Sequence, residues 1–177
     1  ETIDTTGKPL PSIYTIYKDA QHPTQVANNL FLRKDWLDTL HQRIAQSPLS
    51  DTNKYVYSDL DFILLGEIVE SVTNKRLGVY VSENFYKPLG LTKTIFNPSS
   101  SLPFLQKGIE LAPTENDTIF RQQLLYGYVH DPAAAMFGGM AGHAGLFSTT
   151  KDLFILYQML LNEGKINGKT FFNPATV

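Results

Sequence analysis

A tyrosine, a serine and an aspartate stand side by side at the start of a strongly amphipathic segment, at Tyr57, Ser58 and Asp59. A phenol in that position can act as a general base or a general acid. Its ordinary pKa is about 10, so accepting a proton near pH 7 takes about 4 kcal/mol of preferential stabilisation of the phenolate. A helix dipole supplies about 0.3–1 kcal/mol at an exposed site and up to about 2 when partly buried. Lysines must supply the rest, and Lys54 is the one close in sequence.

The same three residues also have a purely structural interpretation. Ser58, with Asp61 three residues later, forms a pattern like a helix capping box. Tyr57 can then pack onto Phe62 as a hydrophobic staple. From the residues alone, both the catalytic and the structural role of Tyr57 stay open.

A second stretch combines histidines, an aspartate and a run of glycines. His130 and Asp131 precede four glycines in the eight residues 138–145, and His143 lies inside that run. Such a run implies tight turns or a close backbone approach. It predicts either a loop that lines a pocket, with His143 at its tip, or a packed turn that leads into a capped helix. His130, Asp131 and His143 lack regular metal-ligand spacing, so we expect hydrogen-bonded histidines and neither a metal nor a cofactor.

Two short patterns imitate catalytic motifs. Residues 164–170 resemble a phosphate-binding loop, but they are one residue short and no predicted strand leads into them. Ser148 and Lys151 have the Ser-x-x-Lys spacing of serine acyl-enzymes, but the pair follows Tyr57 along the chain, whereas in those enzymes it comes first. Thr149 is better used as a helix cap, so we interpret the pair as a chance match.

Four helices are predicted to position these residues. The first helix starts near Asp35 and stops before Pro48, and the third starts near Leu77 and ends at Pro88. The second starts at Ser58 and has an apolar stripe formed by Leu60, Ile63, Leu64, Ile68 and Val72. The fourth runs from Thr149 to about Glu163, with Gly164 as its C-terminal cap. Residues 1–34 are expected to be irregular because of their prolines, and residues 98–130 to form a long loop. A short strand is predicted at 94–96 and a turn at Asn167-Gly168. These elements predict a single, mainly α domain over 1–177 with short strands and long loops, without the βαβ alternation of a doubly wound sheet.

Composition narrows the class of function. The 177 residues are 42% hydrophobic and 18% charged, which is typical of a globular domain. With 15 Lys+Arg against 17 Asp+Glu and no long basic run, nucleic acid is not an expected partner. The chain has no cysteine, so disulfides and thiolate chemistry are excluded. No apolar run reaches the roughly 20 residues that a membrane span needs.

The helix from Tyr57 to Glu70 resembles the Tyr-Ser-Asn/Asp helix of the serine β-lactamase-like family. That family includes class C β-lactamases, penicillin-binding-protein-like peptidases and related esterases. Segment 85–91 with Thr94, and then residues 130–162, are similar to the later parts of the family in the right order. The resemblance covers most of residues 50–177 and is greatest to members fused behind a glycoside hydrolase domain in bacterial envelope proteins.

The resemblance implies a role for each matching residue: Tyr57 in catalysis, Asp59, His143 and Gly145 in substrate binding, and Ser58, His130 and Asp131 in support of these. In the family, the serine of Ser-x-x-Lys attacks an acyl carbonyl while its lysine and the tyrosine move the proton. Asp59 replaces the usual asparagine, and an ionised carboxylate cannot donate to a substrate amide. The nucleophile motif does not map, and Phe171 stands where the late strand of the family needs glycine.

The resemblance therefore implies the helical subdomain of a β-lactamase/transpeptidase-like α+β fold, inactive alone, whose partner is a missing α/β half. It also implies a small-molecule or peptidoglycan-type substrate and a periplasmic or cell-envelope location. Two alternatives remain: a non-catalytic helical module that binds a peptide or cell-wall glycan, and a fragment that self-associates through an uncovered apolar face.

Overall fold

Short strands and helices alternate along the chain, which a computed structural model describes over residues 2–49, 54–100 and 110–177. The α-helices are α1 (Trp36–Ala45), α2 (Asp59–Thr73), α3 (Leu77–Val81), α4 (Lys87–Leu89), α5 (Pro132–Met136) and α6 (Thr150–Leu161). The strands are β1 (Tyr14–Thr15), β2 (Thr24–Ala27), β3 (Leu30–Leu32), β4 (Ile95–Phe96), β5 (Pro113–Asp117), β6 (Gln123–Tyr126), β7 (Leu146–Phe147), β8 (Lys165–Ile166) and β9 (Lys169–Thr170). A π-helical turn, Ser82–Tyr86, joins α3 to α4, and 3₁₀ turns lie at Pro98–Ser100 and Pro174–Thr176.

The prediction of a mainly α chain is wrong. Helices hold 37% and strands 17% of the described residues, and the strands form several small sheets. One sheet has three antiparallel strands in the order β1-β3-β2, and three two-stranded antiparallel sheets pair β4 with β7, β5 with β6 and β8 with β9. The chain therefore mixes α and β structure throughout.

The N-terminal segment, predicted to be irregular, contains the three-stranded sheet. β2 and β3 are joined at Asn28-Asn29, where Asn29 adopts the left-handed backbone (φ 51°) that asparagine tolerates. Pro23 lies directly before the first residue of β2, so its missing N–H removes no hydrogen bond from the sheet. The prolines thus lie outside the strands, and they do not prevent strand formation.

The segment predicted as a long loop, 98–130, holds the β5–β6 hairpin. Asp117 closes its turn by accepting hydrogen bonds from the backbone amides of Ile119, Phe120 and Arg121. Strands as short as these carry too few alternating residues to stand out in the sequence, so the prediction missed them.

Most of the buried core lies in the β-rich part of the molecule. Side chains from the first sheet, from the β5–β6 region and from α5 form one cluster, which includes Val26, Leu32, Trp36, Phe120, Leu125, Val129 and Ala134. α2 buries only Ile63, while four other members of its predicted stripe are more than a third exposed: Leu60, Leu64, Ile68 and Val72. The apolar stripe of α2 exists, but it faces outward.

The helix boundaries follow the local signals. α1 begins after Asp35, α2 after Ser58 and α6 after Thr149, as predicted. The hydroxyls of Ser58 and Thr149 accept hydrogen bonds from the Leu60 and Asp152 amides at 3.2 and 3.3 Å. The predicted turn at Asn167-Gly168 is also confirmed, because both residues have left-handed backbones and connect β8 to β9.

Candidate functional site

Tyr57 lies directly before α2 with its phenol largely in solvent. The side chain is 61% exposed, and its ring centroid is 5.8 Å from that of Phe62. The pKa of the phenol is raised, first by desolvation and then by the negative charge of Asp59 and a hydrogen bond with it. These effects oppose phenolate formation. Among the described residues, the staple contact with Phe62 is present, and these effects on the phenol all raise its pKa.

Asp131 and His143 form a hydrogen-bonded pair beside α5, in which the His143 side chain is buried and Asp131 is partly exposed. Asp131 caps α5 by accepting from the Ala134 amide at 2.6 Å, and His143 Nε2 lies 2.8 Å from the same carboxylate oxygen. Desolvation raises the pKa of Asp131, but the Ala134 amide and His143 outweigh it, so the pKa is lowered overall. The His143 side chain is 2% exposed, and its Nδ1 has no hydrogen-bond partner in the described structure.

Asp59 completes a three-residue cluster with that pair. Asp59, Asp131 and His143 each contribute one nitrogen or carboxylate oxygen, and these atoms all lie within 4.8 Å of one another. Asp59 is the first residue of α2, whereas Asp131 and His143 flank α5 and the glycine-rich loop. The fold therefore brings the Tyr-Ser-Asp motif and the histidine-glycine segment to one place.

Close backbone contacts hold the glycine-rich loop, residues 138–145, against α2. A side chain at Gly142 would overlap the Phe62 carbonyl, and a Cβ on Gly66 would lie 3.2 Å from the Gly142 nitrogen. Gly145 has a φ of 113°, and a side chain there would overlap the Gly139 carbonyl. Gly142 and Gly145 are thus required by the packing that places His143.

Other predicted residues lie outside the cluster. The His130 side chain is exposed, and its carbonyl accepts a hydrogen bond from Arg121. Ser148 Oγ is 2.8 Å from the Thr94 hydroxyl, while Lys151 is an exposed residue in the first turn of α6. The cap at Thr149 is therefore confirmed, and residues 164–170 form a hairpin and not a phosphate-binding loop.

Two supports of the site gave no usable signal in the sequence. Arg121 is buried, pairs with Asp117 at 2.6 Å and donates to the Val129 and His130 carbonyls, so it fixes the backbone that leads into Asp131. His41 contacts Glu67 at the edge of a cavity of about 180 Å³ between α1, α2 and the glycine-rich loop. Both depend on contacts between residues that are distant in the chain, which periodicity does not report.

The Tyr-Ser-Asp motif at the start of α2 and the glycine-rich loop with His143, which meet through Asp59, are two of the segments that carry the resemblance in the sequence. Residues 16–175 match the family described as Beta-lactamase. The chain belongs to the Beta-lactamase family.

Curated relatives agree with this membership. The chain is 40% identical over 169 residues to a protein of Escherichia coli (strain K12) named "Putative D-alanyl-D-alanine carboxypeptidase", with 90% of this chain and 39% of the relative covered. Proteins of the same name from Escherichia coli O157:H7 and Salmonella schwarzengrund (strain CVM19633) are each 39% identical, over 175 and 176 residues, with the same coverage. The chain thus spans about two fifths of the length of these relatives. Among the described residues, none of the helices has the length and apolarity needed to cross a bilayer.

Proposed function

We propose that this chain is part of a serine hydrolase that cleaves an amide or ester through an acyl-serine intermediate. The observation that carries the proposal is the meeting of Asp59, at the entrance of α2, with Asp131 and His143 from the glycine-rich region. Family membership supports it, because the whole matched segment is Beta-lactamase-like.

In the proposed reaction, a serine and a lysine supplied by another part of the parent enzyme provide the nucleophile. The serine oxygen forms a bond to the acyl carbonyl, the leaving group departs with a proton, and water then releases the acid. Tyr57 takes part in moving that proton. Asp59, His143 and Gly145 line the substrate position, while Ser58, Asp131 and His130 hold them in place. The 177 residues alone do not catalyse the reaction.

The proposed substrate is a peptidoglycan-type peptide, and the proposed location is the cell envelope. The name of the curated relatives, D-alanyl-D-alanine carboxypeptidase, supports both. Such a substrate ends in a carboxylate, which Asp59 would repel when ionised. We therefore place the amide end of the substrate, and not its terminal carboxylate, beside Asp59.

The outward face of α2 supports a partner for this chain. Leu60, Leu64, Ile68 and Val72 recur every four residues on one side of the helix, and all are exposed. An exposed, continuous apolar ridge of this kind is typical of a surface that binds another protein or domain. We propose that the α/β part of the parent enzyme covers it, since the curated relatives are much longer than this chain.

The first experiment measures turnover of a chromogenic β-lactam, an activated ester and a D-alanyl-D-alanine peptide by the isolated chain. We expect none. Turnover that Ser148→Ala abolishes would contradict the proposal and would assign the reaction to Ser148 and Lys151.

The second experiment uses the full-length parent. Tyr57→Phe keeps the aromatic ring and removes only the hydroxyl, so we expect kcat to fall about 10²–10⁴-fold with an unchanged melting temperature. Unchanged kcat would contradict the catalytic role of Tyr57.

One observation favours a second candidate, a non-catalytic module that binds a peptide or glycan. The Tyr57–Phe62 ring contact and the raised pKa of Tyr57 fit a structural staple. Phe62→Leu in the parent separates the two roles. A loss of melting temperature with Phe62→Leu, combined with full activity of Tyr57→Phe, would favour the module.

A further inference from the structure

The sulfur of Met140 connects the glycine-rich loop to α3. Met140 lies inside that loop, and its Sδ accepts a hydrogen bond from the Gly78 amide at 2.8 Å. We infer that Met140 is a modification site, at which a peroxide reversibly oxidises the thioether to the sulfoxide and thereby loosens the loop.

Exposure singles out Met140 among the sulfur-containing residues. The chain has three methionines and no cysteine. Met136 is 8% exposed and Met159 is 0% exposed, whereas Met140 is partly exposed. An oxidant has to reach the sulfur, so burial protects Met136 and Met159. The fold therefore directs a mild oxidant to Met140.

Two cavities are lined by the Met140 side chain. One, of about 180 Å³, lies between α1, α2 and the glycine-rich loop, and the other, of about 690 Å³, lies between α3, the π-helical turn and β4. Hydrogen peroxide is about as large as two water molecules, roughly 60 Å³, so each cavity has room for it. A peroxide can therefore reach the side chain while the loop stays folded.

The chemical step is the transfer of one oxygen atom from the peroxide to sulfur. A lone pair of Sδ attacks one peroxide oxygen, and an S–O bond forms while the O–O bond breaks. The other oxygen takes up the proton of the transferred one and leaves as water when the oxidant is hydrogen peroxide. Sulfur loses two electrons and the peroxide gains them, and methionine sulfoxide reductases reverse the change.

The contact with Gly78 leaves no room for the added oxygen. An N–H···O hydrogen bond takes about 2.7–3.2 Å between nitrogen and oxygen alone, which is as long as the whole contact between the Gly78 nitrogen and Met140 Sδ. The sulfur must therefore move away from Gly78, or the oxygen must point into the smaller cavity beside Leu77 and Phe137. The first change breaks the hydrogen bond, and the second places a polar group against apolar side chains.

The position of Gly78 makes this contact important for packing. Gly78 is the second residue of α3, where a backbone amide has no carbonyl partner within the helix. A Cβ at Gly78 would lie 2.6 Å from Met140 Sδ, so the sulfur can approach only because the side chain is absent. Loss of the contact leaves this amide unpaired and weakens the attachment of the loop that carries His143.

The test is peptide mapping by mass spectrometry after the folded 177-residue chain has been exposed briefly to hydrogen peroxide. We expect Met140 to be oxidised at least about 10-fold faster than Met136 and Met159, because these two react only when the structure opens. In urea all three should react at similar rates, which controls for their intrinsic reactivity.

The consequence for the loop is measured by thermal denaturation of the oxidised chain. Oxidation should lower the melting temperature by about 2–8 °C. Treatment with the two methionine sulfoxide reductases, one for each epimer of the sulfoxide, and a thiol reductant should restore it.

Met140→Leu and Met136→Leu are the matched variants, since leucine keeps the volume of methionine and has no sulfur. The melting temperature of Met140→Leu should not respond to peroxide, while Met136→Leu should respond like the unaltered chain. Circular dichroism checks the folding of both variants. Peptide mapping of the unaltered chain decides the matter if Met140→Leu does not fold.

Three results would overturn the inference: equal oxidation of the three methionines in the folded chain, a melting temperature unchanged by oxidation of Met140, or no recovery with the reductases. None of these measurements uses hydrolysis. Failure of the inference therefore leaves the proposed hydrolase function untouched, and absence of hydrolase activity in the parent leaves the Met140 site untouched.

Discussion

Arg121 is a charged residue that the fold encloses. Its side chain is fully buried, and its guanidinium pairs with Asp117 at 2.6 Å while donating to two backbone carbonyls. We expect Asp117→Asn to lower the free energy of unfolding by about 3–5 kcal/mol, because it leaves a buried guanidinium without its counter-charge. Urea denaturation of the chain measures the loss.

Glu115→Gln is the control for this prediction. Glu115 is also within 4 Å of Arg121, at 3.7 Å, but its side chain is about half exposed. Exposed pairs contribute about 0–1 kcal/mol, so Glu115→Gln should change stability little. Equal losses for the two substitutions would contradict the assignment of the stabilising charge to Asp117.

Asp117 and Asp131 also predict how stability depends on pH. Desolvation raises the pKa of Asp117 and of Asp131, but hydrogen bonds from Arg121 and from His143 and backbone amides outweigh it, so both pKa values are lowered. A lowered folded pKa gives stability that is fully present above about pH 4 and is lost as the pH falls through the folded value.

We therefore expect the free energy of unfolding to fall as the pH drops below about 4. Urea denaturation at a series of pH values measures this. The Asp131→Asn variant should show a shallower fall, since asparagine can still cap α5 but does not titrate. A fall of unchanged steepness would show that Asp131 does not contribute.

At the scale of elements, the packing of α2 on the glycine-rich loop depends on the absence of a side chain at Gly142. Gly142→Ala places a Cβ against the Phe62 carbonyl, which is backbone and cannot move aside cheaply. We expect a loss of about 3 kcal/mol, at the upper end of overpacking effects. Thermal denaturation followed by circular dichroism measures it.

Gly90→Ala serves as the comparison for Gly142→Ala. A Cβ on Gly90 meets no atom within 4 Å, and its φ of 74° adds only the strain of a left-handed backbone, about 1–2 kcal/mol. If Gly142→Ala costs no more than Gly90→Ala, the contact with Phe62 does not fix the loop.

Helices and turns that are marked by a local sequence signal were predictable. Ser58 and Thr149 cap the helices that follow them, and Asn167-Gly168 forms the hairpin turn, because each signal acts within a few residues. The three-stranded sheet β1-β3-β2 and the β5–β6 hairpin were missed, since strands of two to five residues carry too few alternating residues to stand out in the sequence.

For the candidate site, the sequence indicated the residues but not which of them lie together in the fold. Its residues were named from the resemblance, but their spacing did not indicate that Asp59 meets Asp131 and His143, or that the side chain of His130 is exposed. The contact of Gly142 with α2 holds the two segments together, and no spacing along the chain encodes that contact.

At the scale of the whole molecule, the outward apolar ridge of α2 should be exposed in the isolated chain and covered in the proposed full-length parent. Leu64 and Ile68 are 44% and 55% exposed. We expect the double substitution Leu64→Gln and Ile68→Gln to change the stability of the isolated chain by less than about 0.5 kcal/mol, as surface changes usually do. In the full-length parent, where the ridge is proposed to be covered, it should cost several kcal/mol.

Ile63→Ala is the control, because Ile63 is 4% exposed in the chain itself. It should cost about 2–5 kcal/mol in both proteins. Equal effects of the double substitution in chain and parent, measured by the same denaturant series, would contradict a covering partner.

The hydrogen bonds from Arg121 to the Val129 and His130 carbonyls have a kinetic consequence for any ligand that binds beside these residues. Because the carbonyls on the approach to Asp131 are already fixed, a ligand arriving there need not order the backbone, and little chain entropy is lost on association. Binding there should therefore follow a single kinetic phase, without the slow phase of a loop that folds around the ligand.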